Sequence, residues 1–513
     1  MGSDYPPLAR PGIIRHARRH SLTNAPTTGL LLSTKDPNHF RNSSPKAPIV
    51  VSTEGDVILK YTNPSSTESC HWKVESNLLM RNSPYFRALM DPNKFSEGRF
   101  LAQVKKEPST QDALPIVVMP ASQFTEMCGT DALELFLQIL CLDSVDFFDF
   151  DELKEFDWRR LFLRNLKTQS PSLISRLIEV ADLYNSPHFI RETLKKVGYM
   201  FGRSKPQLGK FSPTILKASE DRIRQTLVVA EFLGEYHITK IMTHTLVVIG
   251  SKYWTDGTNV PTSPYFRWQY LPHGLEEEIY FRRQCVLNTI TDLQAYFLRA
   301  YGALEEIDEP KETKPPSLGV AFITSHQHRH FQCRGGFGNA SQCDLFHLGQ
   351  MTRFFALRAK TIFIGSTLID PDFGLSSDED EEDEKGRSIS GPASDITALV
   401  ASLKQYPDYQ IDLNHQGCGV RRRLLPVLDG IERFILDSRG LLGVNLHEWE
   451  NVSLRPSIAW SNRNSQADHK VDIRFAKITA VQFPSQAASP ARQFTQEEDA
   501  WLLFTAKKRN WES

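Results

Sequence analysis

Histidines and cysteines gather in the last third of this 513-residue chain in a pattern suited to metal binding. His326-Gln-His328-Arg-His330-Phe-Gln-Cys333 is followed by Cys343 and His347, and later by His415-Gln-Gly-Cys418. A tetrahedral zinc site takes four nitrogen or sulfur ligands. Cys333, Cys343, His415 and Cys418 can supply them through a Gly-rich loop and an H-x2-C turn, which makes structural zinc the sharpest cofactor expectation. The gap between the first two cysteines is wider than the usual knuckle, and the second pair follows some 70 residues later. Buried core thiols and surface histidines are the plainer reading of the same residues. The H-x-H-x-H run also has the form of a hydrolase metal site, but no aspartate follows in the right place, so a zinc-dependent enzyme is the lesser alternative.

Other catalytic signatures fail on inspection. Gly336-Phe-Gly338 lacks the third glycine of a dinucleotide fingerprint, and no G-x4-G-K-[ST], G-x-S-x-G or H-E-x-x-H occurs. The expectation is therefore a protein that is not an enzyme.

A net charge of -1 gives no global drive toward nucleic acid or acidic membranes. Seven cysteines spread along the chain fit reduced thiols in nucleus or cytoplasm better than a disulfide framework. The first residues are rich in Pro and Arg, and no apolar run reaches about 18 residues, so neither secretion nor membrane spanning is expected.

The elements that must position these residues read as follows. Residues 1–48 carry seven Arg and Lys against two Asp among Pro, Ser and Asn, which predicts a disordered basic tail. Its Arg15–Ser21 cluster suits nuclear import or a basophilic kinase acting on Ser21. Ile49-Val50-Val51 suits an edge strand. Asp56–Tyr61 and His71–Glu75 read as two antiparallel strands. Ser76 is placed to cap a short helix, and Ser83-Pro84 starts a second one through an N-cap hydroxyl and an N1 proline. Asp91–Pro108 reads as loop, Leu114–Pro120 as strand, and a helix capped by Thr130 or Asp131 carries Leu133, Leu135, Phe136, Leu137, Ile139 and Leu140 on most of its sides. Asp143–Trp158 sets seven carboxylates among aromatics, either as anchors for a partner or as an insertion packed on the domain. A helix from Ser170-Pro171 and another from Asn185-Ser186-Pro187 follow.

This order of parts, with Asp56-Val57, Trp72-x-Val74, Leu79 and Ser83-Pro84-Tyr85-Phe86, resembles the BTB/POZ domain, a protein-interaction fold. The resemblance spans Ile49 to Gly198. The layout of the whole chain is similar to BTB proteins of filamentous fungi. It implies an α+β BTB/POZ-like domain at 49–198, followed by a mainly α-helical region: an extension at 211–304, a linker at 305–330 and an α-rich C-terminal region at 331–513. An acidic, disordered loop at 374–394 holds seven consecutive acids, beside which Ser376 and Ser377 suit an acidophilic kinase.

The family's role implies an adaptor or scaffold that meets protein partners through this domain, with Asp56, Trp72, Leu79 and Phe86 as its marks. Some relatives recruit cullin-3-type ubiquitin ligases, and Phe124-Thr-Glu126 echoes their apolar-x-Glu contact. Family members also dimerise, with a basic residue near the first-strand Asp; here that position is Ser76, so Asp56 is expected to be more exposed or the homodimer altered. A nuclear regulatory protein contacting DNA through its basic tail is the alternative, although nucleic acid is not the expected partner. Phe494–Leu503 resembles the first helix of a Myb/SANT domain, but with the chain ending at Ser513 a terminal packing helix is expected.

Overall fold

Val57, Leu59 and Tyr61 alternate with Ile58, Lys60 and Thr62, and a strand sends two such sets to opposite faces. The first set is buried and forms the floor of the core. A computed structural model of the chain describes residues 47–66, 68–106, 114–142, 158–254, 265–272, 274–302, 332–333, 340–359, 361, 395–446, 496–506, 509 and 511. The basic tail with Ser21, the acidic-aromatic stretch through Asp157, the 305–330 linker with His326, His328 and His330, and the acidic loop with Ser376 and Ser377 lie outside these residues.

Four strands make one small mixed sheet in the order β1-β3-β2-β4. β2 (Val57–Thr62) and β3 (Ser69–Val74) pair antiparallel, with Leu59 opposite Trp72. β1 (Ile49–Val50) joins β3 in parallel, as the edge strand expected there. The outer edge beside β2 is β4 (Ile116–Val118), also parallel.

Two short helices, α1 (Ser76–Asn82) and α2 (Pro84–Leu89), follow the hairpin. Ser83 Oγ caps α2 by accepting from the Phe86 N–H, as its sequence predicts. Ser76 does not cap α1. It is the first helical residue, and its hydroxyl instead donates to Asp56 at 2.6 Å. The segment read as loop contains a helix, α3 (Ser96–Lys106). Gly98, a breaker in isolation, is needed there because a Cβ would lie 2.3 Å from the Asp91 carbonyl oxygen.

Beyond β4 come α4 (Gln123–Cys128) and α5 (Thr130–Leu140), whose N-cap is Gly129, one residue before the positions expected. All six apolar residues assigned to α5 are buried. α6 (Trp158–Lys167), α7 (Pro171–Leu183, capped by Ser170) and α8 (Pro187–Val197) complete this half. Phe86 and Phe136 stack on Tyr184 just past α7, at 5.8 and 5.5 Å, so the Ser83-Pro84-Tyr85-Phe86 junction is seated on that helix end.

The helical half continues through α9 (Lys205–Leu208), α10 (Glu220–Leu233), α11 (Tyr236–Ile249) and α12 (Leu275–Ala300). It then passes through α13 (Ala340–Arg353), α14 (Ile396–Lys404), α15 (Arg421–Ile435) and α16 (Gln496–Thr505). α10 packs on both α7 and α11, and α16 packs on α12, the terminal packing helix expected there. Pro48–Ser513 is one compact unit, and its buried apolar residues run continuously from the sheet to α15 and α16. Among the described residues no helix is long and apolar enough to cross a membrane.

Buried polar groups tie the helical half together. Arg224 is fully buried and meets Glu220 at 2.8 Å and Glu276 at 2.5 Å. His244 uses both ring nitrogens: Nδ1 accepts from Leu442 N–H at 3.1 Å, and Nε2 therefore donates to the Ile435 carbonyl at 2.9 Å. Thr243 Oγ1 accepts from Val444 N–H, and Arg282 donates to the Leu442 and Gly443 carbonyls. The 435–444 segment is thereby held against α11 and α12.

Candidate metal centre

Cys343 lies in the first turn of α13, and its side chain faces the helix's buried side with Asp344, His347 and Met351. Cys333 precedes that helix. Its position is set by Asp344, whose carboxylate accepts the N–H groups of Gln332 at 2.9 Å and Cys333 at 3.0 Å. The other pair comes from the chain between α14 and α15. Asp412 caps a single 3-10 turn there by accepting from Asn414 and His415 N–H, and Cys418 N–H closes the next turn on the His415 carbonyl. Gly417 takes φ +91, a backbone conformation that L side chains rarely adopt, and so lets Cys418 fold back toward His415.

These turns bring the four sequence-predicted ligands together. Sγ of Cys333 lies 3.2 Å from His415 Nδ1 and 3.6 Å from Cys418 Sγ, and Cys418 Sγ lies 3.9 Å from the same imidazole nitrogen. All four donor atoms fall within 4.8 Å of one another. A tetrahedron with Zn–S of about 2.3 Å and Zn–N of about 2.0 Å has edges of roughly 3.5–3.8 Å, so the cluster has the dimensions of such a shell. Cys333, Cys343 and His415 are buried and Cys418 is half-buried. The group can hold a metal ion.

Burial, then the neighbouring Cys333 thiol, pushes the Cys343 thiol far up. A divalent cation reverses that balance, because thiolates are its ligands.

A second tier supports the first. Tyr301 OH donates to the Cys418 carbonyl at 3.3 Å, and Arg423 donates to Tyr301 OH and to Gln332 Oε1. His347, one turn past Cys343, is fully buried with neither ring nitrogen hydrogen-bonded, its ring edge-on to Tyr301 at 5.8 Å. Burial holds its pKa below the usual histidine value. The sequence marked His347 only by its proximity to Cys343, whereas Asp344, Tyr301 and Arg423 are residue types too common to stand out.

The six residues marked for protein interaction separate into two groups. Trp72, Leu79 and Phe86 are fully buried and hold the core, so a partner does not reach them. Asp56, Phe124 and Glu126 are accessible. Phe124 packs on Phe266 with ring centroids 6.0 Å apart, and Glu126 accepts from Ser65 Oγ at 2.7 Å. No protein-family model, curated protein or solved structure matches the chain.

Proposed function

We propose that this chain is a non-enzymatic protein-interaction protein, with a BTB/POZ-like first half that meets protein partners and a helical second half clamped by a structural zinc ion. One observation carries the reading: Val57, Trp72, Val74, Leu79 and Phe86, on which the resemblance rests, pack into one buried assembly, while Phe124 and Glu126 stay reachable on α4. The ligand set supports the structural role of the metal. Four nitrogen and sulfur donors fill a tetrahedral shell, whereas catalytic zinc keeps a position open for water.

The partner class follows from the family resemblance, with a cullin-3-type ligase as the specific candidate. Binding of purified cullin-3 to the full chain, weakened at least tenfold by Phe124→Ala with Glu126→Lys, supports the adaptor role. No binding by the folded wild-type chain at about 10 μM, some −7 kcal/mol, rejects that partner. Metal analysis of the purified protein tests the clamp: about one zinc per chain is expected, and less than about 0.2 equivalent rejects it. Light scattering on the full chain tests self-association, with a dimer mass expected.

A further inference from the structure

We propose that Cys418 and Cys333 are a peroxide-sensitive modification site, in which hydrogen peroxide closes a Cys333–Cys418 disulfide and dismantles the Cys/His cluster. The proposal rests on the zinc reading for the release of metal, but not for the disulfide.

The two sulfurs lie 3.6 Å apart. A disulfide bond is about 2.05 Å long, so the sulfurs need to close by only about 1.5 Å. Access is unequal within the cluster. Cys418 is half-buried, Cys333 is 8% exposed and Cys343 is fully enclosed, so a small oxidant in water meets Cys418 first. Cys333 then lies against it as the resolving thiol.

The remaining cysteines are poor competitors. Cys128, Cys141 and Cys285 are buried, and burial raises their thiols to about 12, about 12 and about 11, leaving little of the reactive thiolate near neutrality. Cys70 lies in β3, away from the cluster, so oxidation there has no cluster thiol to resolve it.

The chemistry balances with peroxide as the only co-reactant. The Cys418 thiolate attacks one peroxide oxygen, the O–O bond breaks, and Cys418 sulfenic acid and hydroxide form. The Cys333 thiolate then attacks the Cys418 sulfur, forming the S–S bond and expelling a second hydroxide. Two protons convert the hydroxides to water. Each sulfur loses one electron, and peroxide gains two. Only Cys343 and His415 remain as donors, half of a tetrahedral set, so a bound ion is no longer retained.

The test uses the full chain, purified with reductant and then freed of it, treated with one equivalent of hydrogen peroxide. Accessible thiols after denaturation should fall from seven to five, and non-reducing peptide mass mapping should give a Cys333–Cys418 link that dithiothreitol reverses. A chromophoric chelator should register about one ion released per link formed. Cys418→Ser should abolish the loss of paired thiols, while Cys70→Ser should leave it unchanged. Disulfide formation in protein that carried no metal rejects the zinc clamp and supports the thiol pair. Metal-loaded protein that keeps all seven thiols under tenfold peroxide, or that links Cys343 instead, overturns the proposal.

Discussion

Lys105 places its ammonium 2.9 Å from the Asp56 carboxylate, which also accepts from the backbone N–H and the hydroxyl of Ser76 at 2.7 and 2.6 Å. The cation that the start of α1 does not supply comes from α3. Asp56 is thus satisfied within one chain, without a basic residue at position 76. Partial burial alone would raise the Asp56 pKa. The hydrogen bonds from Ser76 Oγ, Lys105 and Ser76 N–H outweigh it and hold the carboxyl below the ordinary value.

Because that pKa is depressed in the folded state, Asp56 contributes stability that is full above the unfolded value, about 3.9, and is lost as pH falls through the lower folded one. Lys105→Ala should cost less than about 1 kcal/mol, since both groups are solvent-accessible. Asp56→Ala should cost about 1–3 kcal/mol by stranding the Ser76 donors. Urea unfolding of the two variants at neutral pH measures the contrast, and equal losses would contradict it.

His244 should make the fold acid-sensitive well above the carboxylate range. Burial drives its pKa down to about 4, against the opposing pull of the Ile435 carbonyl and Asp437. The unfolded chain takes up a proton near pH 6.5 while the folded chain does not, so stability is full above that pH and falls as pH drops toward 4. The single group accounts for about 3 kcal/mol over the window. Urea midpoints from about pH 7.5 to about pH 4.5 should slope downward, and His244→Gln should be less stable at the upper end yet flatter across the series.

Gly443→Ala and Gly234→Ala separate close approach from backbone strain. A Cβ on Gly443 would lie 1.9 Å from the Lys240 carbonyl oxygen, whereas Gly234, at φ +74, has open space around it. The first substitution should cost more than about 3 kcal/mol, because backbone must move. The second should cost about 1 kcal/mol. Thermal melts should rank them in that order.

Arg224→Ala should be among the most damaging single changes in the helical half. It leaves Glu220 and Glu276, both largely buried, without their shared cation, along with the Trp268 and Gln269 carbonyls. Removing one member of a buried ion network costs about 3–5 kcal/mol. A triple variant that also carries Glu220→Gln and Glu276→Gln should recover part of that loss in denaturant unfolding. No recovery would mean that packing rather than charge dominates there.

Asp344→Ala should weaken metal binding about 10–100-fold through loss of the bonds that fix Gln332 and Cys333, and Asp344→Asn, which keeps an acceptor oxygen, should weaken it less. Competition with a chelator of known affinity reads both. Unchanged affinity in the alanine variant would remove Asp344 from the site.

What could be read in advance follows how locally each feature is encoded. The hairpin is written in a period-2 pattern, and the Ser83-Pro84 start needs only its own helix turn, so both are legible. α3 is not, because Gly98 reads as a breaker until the Asp91 backbone lies against it. The four ligands stand out because few residue types can bind zinc. Asp344, Tyr301 and Arg423, which steady them, and Lys105, which pairs with Asp56, are ordinary residues given meaning only by contacts distant in sequence.

The His244–Ile435 bond has a consequence for how the protein is made. Its partners are 191 positions apart, so a ribosome adding about 5–20 residues per second takes roughly 10–40 s to deliver the second after the first. Throughout that interval α11 carries an imidazole and a Thr243 hydroxyl whose final partners do not yet exist, and α12, once made, adds Arg282, whose carbonyl acceptors at Leu442 and Gly443 are still to come. These contacts of the helical extension can close only once the end of α15 and the residues after it have been made.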